Sequence, residues 1–106
     1  MNNIDRSLQL LIADILASEV YRDYKEQCDR VNARSGLKAQ IDEFRTRNLE
    51  LQTNGMTTFE EIDNFERQYA ELRDDPLVAD FLAAELAFCR MMQDINLRIT
   101  EAIHFQ

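Results

Sequence analysis

Asp75-Pro76-Leu77-Val78-Ala79-Asp80-Phe81-Leu82-Ala83-Ala84-Glu85 opens a run that continues to about Ile103 without another proline or any glycine. Aspartates at positions 74 and 75 suit the positive end of a helix dipole, and a proline suits its first turn. The segment therefore reads as one helix of roughly 40 Å at 1.5 Å rise per residue. Its apolar positions Leu77, Val78, Phe81, Leu82, Phe88, Cys89, Met92, Ile95, Ile99 and Ile103 fall on one arc, with Glu85 and Asn96 near the arc's centre. A carboxylate and an amide placed there are costly unless another group answers them. Arg45 and Arg47 flank Phe44 on an upstream helix and are the candidates for Glu85, so Glu85, Asn96, Arg45 and Arg47 are expected to form a buried polar seam.

Upstream, Ile4, Leu8, Leu11, Ile12, Ile15 and Leu16 form one helical stripe, whereas Val20, Tyr21, Tyr24, Cys28 and Val31 point the opposite way if the helix is continued. The phase slips by about half a turn. Ser18 stands at the slip as an N-cap, which gives a first helix to about Ala17 and a second from Glu19 to about Ala33. The alternative is a single long helix contacted on both sides. Ser35 can cap a third helix carrying Leu37, Ile41, Phe44, Asn48 and Leu51 at four-three spacing. Thr53-Asn54-Gly55 ends it, with Asn54 or Gly55 in the left-handed position. Thr58 and Glu61 have capping-box spacing for a fourth helix whose seam is Ile62, Phe65, Tyr69 and Leu72.

Two glycines and one proline in 106 residues leave little material for sheet and its turns. The expected architecture is one all-α domain over residues 1–106, an antiparallel bundle of about five helices with a long C-terminal helix. A net charge of −8, from 12 basic and 20 acidic residues, opposes approach to a phosphate backbone, so direct nucleic-acid binding is disfavoured. Gln9 and Asp14 interrupt the N-terminal apolar run, no basic segment precedes it, and it is too short to span a membrane. Cys28 and Cys89 lie on apolar faces outside any CxxC spacing and read as buried, reduced thiols of a cytoplasmic protein.

The order of these segments carries a resemblance. Ser18-Glu19-Val20-Tyr21-Arg22-Asp23-Tyr24, Ile41-Asp42-Glu43-Phe44-Arg45 with Leu51-Gln52, Asp75-Pro76-Leu77-Val78, Phe81-Leu82-Ala83-Ala84-Glu85 and the closing Ile95-Asn96 and Ile99 resemble the YlbF/YmcA family of small helical bacterial proteins. The resemblance implies an all-α, cytoplasmic, usually oligomeric protein without enzymatic activity of its own. It further implies a regulator of competence, sporulation or biofilm formation, acting in a multiprotein complex that influences RNA processing. Some relatives carry a C-terminal cysteine cluster that takes part in iron–sulfur binding. The sequence to Gln106 holds no such cluster, so no cofactor is expected.

Chemical motifs add little. Glu101-Ala102-Ile103-His104 has the spacing of a carboxylate–imidazole metal pair, but such sites need a second copy and this chain has one histidine. Neither cysteine has a basic partner nearby in sequence, and glycines at 36 and 55 alone exclude a phosphate loop. Glu60-Glu61 and Asp74-Asp75 open helices, where the dipole accounts for them. Met91-Met92 and the rings of Phe44, Phe59, Phe65, Phe81 and Phe88 read as core. The reading is a non-enzymatic regulatory or interaction protein; its rivals are a small-ligand or metal-binding bundle and a structural subunit of a complex. Leu8, Leu10, Leu11, Ile12 and Ile15 on the first helix, with Leu86 and Leu97 off the main face of the last, exceed what so small a core can absorb. They are the expected contacts of a homo-oligomer, most simply a dimer.

Overall fold

A single serine hydroxyl separates the first two helices. Ser18 Oγ donates to Ile15 O at 2.6 Å and accepts from Tyr21 N at 3.1 Å, so it closes α1 (Asn3–Leu16) and caps α2 (Glu19–Asn32). The computed structural model describes residues 2–53, 55 and 58–104. Among the described residues four more helices follow: α3 (Leu37–Thr53), α4 (Phe59–Gln68), α5 (Ala70–Asp74) and α6 (Pro76–Ala102). The fold is all-α with a long C-terminal helix.

The start of α3 differs from the sequence reading. Gln40 N donates to Gly36 O at 3.1 Å, so the N-cap is Gly36, whose φ of 78° a glycine adopts without a Cβ clash. Ser35 lies one residue too early. At the other end α3 closes at Thr53, and Asn54, one of the two candidates for the left-handed position, lies outside the described residues.

The expected fourth helix is two. Tyr69, at φ −109° and ψ 13°, ends α4 and starts α5. Its buried ring packs between Phe44 and Phe65, with centroids 5.4 and 5.0 Å away, and its hydroxyl donates to Glu43 at 3.2 Å. The bend there lets Leu72, next on the same apolar row, leave this aromatic cluster and pack on the main core instead. Glu66 and Arg73 pair across the bend. Because the four-three spacing of Ile62, Phe65, Tyr69 and Leu72 runs through the break, periodicity alone reads one helix.

The main core is formed by Val31, Leu37, Ile41, Leu77, Val78 and Phe81, with Tyr24, Cys28, Leu72 and Leu82 against it. Tyr24 stacks on Phe88 at 5.1 Å, Arg30 approaches Asp80 at 3.9 Å, and Arg34 binds Asp75. These partners run in opposite order along the two segments, so α2 lies antiparallel to the first half of α6. Asp75 is the hinge of that arrangement: it caps α6 by accepting from Leu77 N at 3.0 Å while receiving the Arg34 guanidinium. The hydrogen bonds from Arg34 and from the Leu77 backbone hold its carboxyl below the usual value.

Candidate interaction surface

The polar seam is smaller than the sequence implies. Arg45 Nη2 lies 2.8 Å from Glu85 Oε2, and the guanidinium carbon stands 5.5 Å from the centroid of the Phe81 ring, so α3 closes over the first half of α6 by an ion pair and a cation–π contact together. Both side chains are partly buried, at 38% and 25% exposure. Tyr24 borders the pair. A hydrogen bond with Cys28, reinforced by burial and by the Glu85 charge, pushes the Tyr24 hydroxyl up to about 12.

Asn96 and Arg47 do not join this seam. Asn96 is exposed, because α3 covers α6 only as far as Glu85 and leaves the same row uncovered further on. Arg47, two residues and about 200° around the helix from Arg45, is turned away from Glu85 and lines a groove with Glu50, Glu61 and Phe65. Among the described residues no polar or charged side chain is fully buried.

The apolar arc of α6 divides at the same point. Leu77, Val78 and Phe81 are buried, whereas Cys89, Ile99 and Ile103 are exposed and Phe88, Met92 and Ile95 half-buried; off the arc, Leu86 and Leu97 are exposed too. Cys89 is therefore not a core thiol; Cys28 is half-buried, and both are free. Phe59, placed among the core aromatics by its spacing, is 86% exposed at the start of α4. No residue of α1 is buried. Leu8, Leu10 and Ile12 are exposed, and only Leu11 and Ile15 turn partly inward. Ile4, Leu8 and Leu11 line one groove with Ile99, which places α1 along the second half of α6. Helices α1 and α6 thus present a shared, largely uncovered apolar face.

The chain as a whole is extended. The chain measures 55 × 36 × 19 Å with a radius of gyration of 18.3 Å, where a compact chain of this length has about 13 Å. Its accessible surface is 8328 Å², against roughly 6,200 Å² for a compact monomer of the same mass. The excess, about 2,000 Å², exceeds the roughly 800 Å² that each partner contributes to a standard protein interface.

Among the described residues no three His, Cys, Asp or Glu side chains converge as metal ligands. His104 is exposed just beyond α6 at φ 55°, its amide donating to Glu101 O. No helix among the described residues is long and apolar enough to cross a membrane. No curated protein and no solved structure matches the chain. A family model described as control of competence regulator ComK, YlbF/YmcA, matches residues 4–104.

Proposed function

The chain belongs to the YlbF/YmcA family, and from that footing we propose that it is a non-enzymatic, cytoplasmic regulator that acts as a homodimer presenting helical surface to the proteins of a regulatory complex. The observation that carries this reading is the uncovered apolar face of α1 and the second half of α6, backed by a surface well beyond that of a compact monomer. Self-association removes that face from water, and the acidic polar surfaces remain for partners. The family's description, control of a competence regulator, supports a regulatory role. The charge of −8 favours protein partners over nucleic acid.

Complementation in a host lacking its own copy tests the proposal. Regulatory output is expected to survive His104→Ala, Cys28→Ser and Cys89→Ser, and to be lost when Leu8 and Ile12 are both replaced by glutamate. Salt-sensitive, submicromolar RNA binding by the isolated protein, or a stoichiometric iron–sulfur chromophore after anaerobic purification, would overturn it.

A further inference from the structure

One row of α6 repeats at four-three spacing along the whole helix: Val78, Leu82, Glu85, Cys89, Met92, Asn96, Ile99 and Ile103. Its first three members are covered, Val78 and Leu82 by the core and Glu85 by Arg45 of α3. From Cys89 onward the row is open, with Met92 half-buried and the other four members exposed. Such a spacing is the pattern by which one helix seats against another; here α3 covers the row only as far as Glu85, and α1 lies beside it at Ile99.

The open part is symmetric about Asn96. Cys89 and Ile103 lie two turns to either side, and Met92 and Ile99 one turn. The charges of this stretch, Arg90, Asp94, Arg98 and Glu101, all fall on the opposite side of the helix by its periodicity, which leaves the flanks Gln93 and Thr100 uncharged. A second copy of this segment therefore meets no like charge.

We infer that two copies of α6 pair antiparallel along this open row, with Asn96 on the twofold axis as the residue that sets the register. The inference rests on the homodimer proposed above and says where its axis lies. In this register Cys89 faces Ile103 of the second copy and Met92 faces Ile99, while the two Asn96 amides each donate to and accept from the other. Sliding the pair by one heptad sets the amide opposite an apolar side chain and leaves it without a partner, which is how a lone seam asparagine selects one register. Parallel pairing also brings the amides together, but it places α3 of both copies on the same row at Glu85, only ~16 Å along the axis from Asn96. Two intervening helices there hold the α6 axes further apart than the 8–10 Å of a packed pair. Antiparallel pairing puts each α3 beyond the end of the other copy's open row. The roughly 2,000 Å² by which the whole chain exceeds a compact monomer is more than the roughly 800 Å² that a standard interface takes from each partner.

Charge complementation tests the axis directly. Asn96→Asp and Asn96→Lys each place like charges face to face, so each alone should associate roughly a hundredfold more weakly than the wild type in sedimentation equilibrium. An equimolar mixture should regain wild-type association. Because Asn96 is exposed within the chain, circular dichroism should show both variants folded. A cross-link fixes the direction: in a Cys28→Ser background, Ile103→Cys should form an oxidised covalent dimer with Cys89, and adding Cys89→Ser should abolish it. Variants that associate like the wild type, a mixture no stronger than its components, or a cross-link that persists without Cys89 would overturn the inference while the dimer stands. A wild-type chain that is monomeric would remove both.

Discussion

Arg45 Nη2 sits 2.8 Å from Glu85 Oε2 while the same guanidinium lies over the Phe81 ring, so one side chain ties α3 to the midpoint of α6 by charge and by packing. A partly exposed ion pair alone contributes modestly, about 0–1 kcal/mol, and the cation–π contact adds about 0.5–1 kcal/mol. Arg45→Ala loses both and Glu85→Ala only the first. Urea unfolding should therefore show Arg45→Ala costing about 1–2 kcal/mol and Glu85→Ala about half of that, with a coupling near 1 kcal/mol in the double variant. Strictly additive losses would mean that the pair contributes nothing.

Asp75 joins two jobs, capping α6 and holding the end of α2 through Arg34. Its carboxyl lies below the ordinary value of 3.8, so its contribution to stability is present above that pH and is lost as the pH falls through the depressed value. Asp75→Asn keeps a capping oxygen and removes the charge. Its urea midpoint should be lower than the wild type's at neutral pH, with the two converging in acid. A gap that is constant with pH would show that the Arg34 pair is immaterial.

Tyr24 gives the opposite limb. Its hydroxyl is raised from 10.0 to about 12 by the Cys28 hydrogen bond, burial and the Glu85 charge. The neutral form is the one the fold favours, so this contribution is complete below pH 10.0 and declines as the pH rises through about 12. Absorbance at the phenolate band should show a late-titrating tyrosine that Tyr24→Phe removes. Tyr69, raised by burial and its bond to Glu43, should also titrate late and persist in that variant.

Phe81 is 1% exposed and touches both the Tyr24 ring and Arg45. Phe81→Ala should cost about 3–5 kcal/mol, a large share of the stability of so small a core. Leu10→Ala, at a residue 63% exposed, should cost little within one chain. Equal losses in thermal unfolding at low protein concentration would contradict this division of buried from open faces.

Much of the fold was legible because its punctuation is local. Ser18, Thr58 and Asp75-Pro76 act on amides two or three residues away, and a sequence displays such spacings directly. The Tyr69 break was not legible, since the apolar row runs through it and only the Phe44–Phe65 seat and Glu43 define the bend. Nor was the Arg34–Asp75 tie, which spans 41 positions between two surface-type residues. At the candidate site, spacing marks the arc of α6 as a contact face but carries no record of which chain covers it. Arg45 and Arg47 look alike as partners for Glu85 until the rotation of α3 is known, and Asn96 reads as buried because its row does.

In the proposed homodimer the face shared by α1 and the second half of α6 is covered by a second copy of the chain. Sedimentation equilibrium of the wild-type protein at micromolar concentration measures this most directly. Twice the 12.5 kDa chain mass is expected, falling to the chain mass when Leu8 and Ile12 are both replaced by glutamate. A wild-type mass of 12.5 kDa would contradict it.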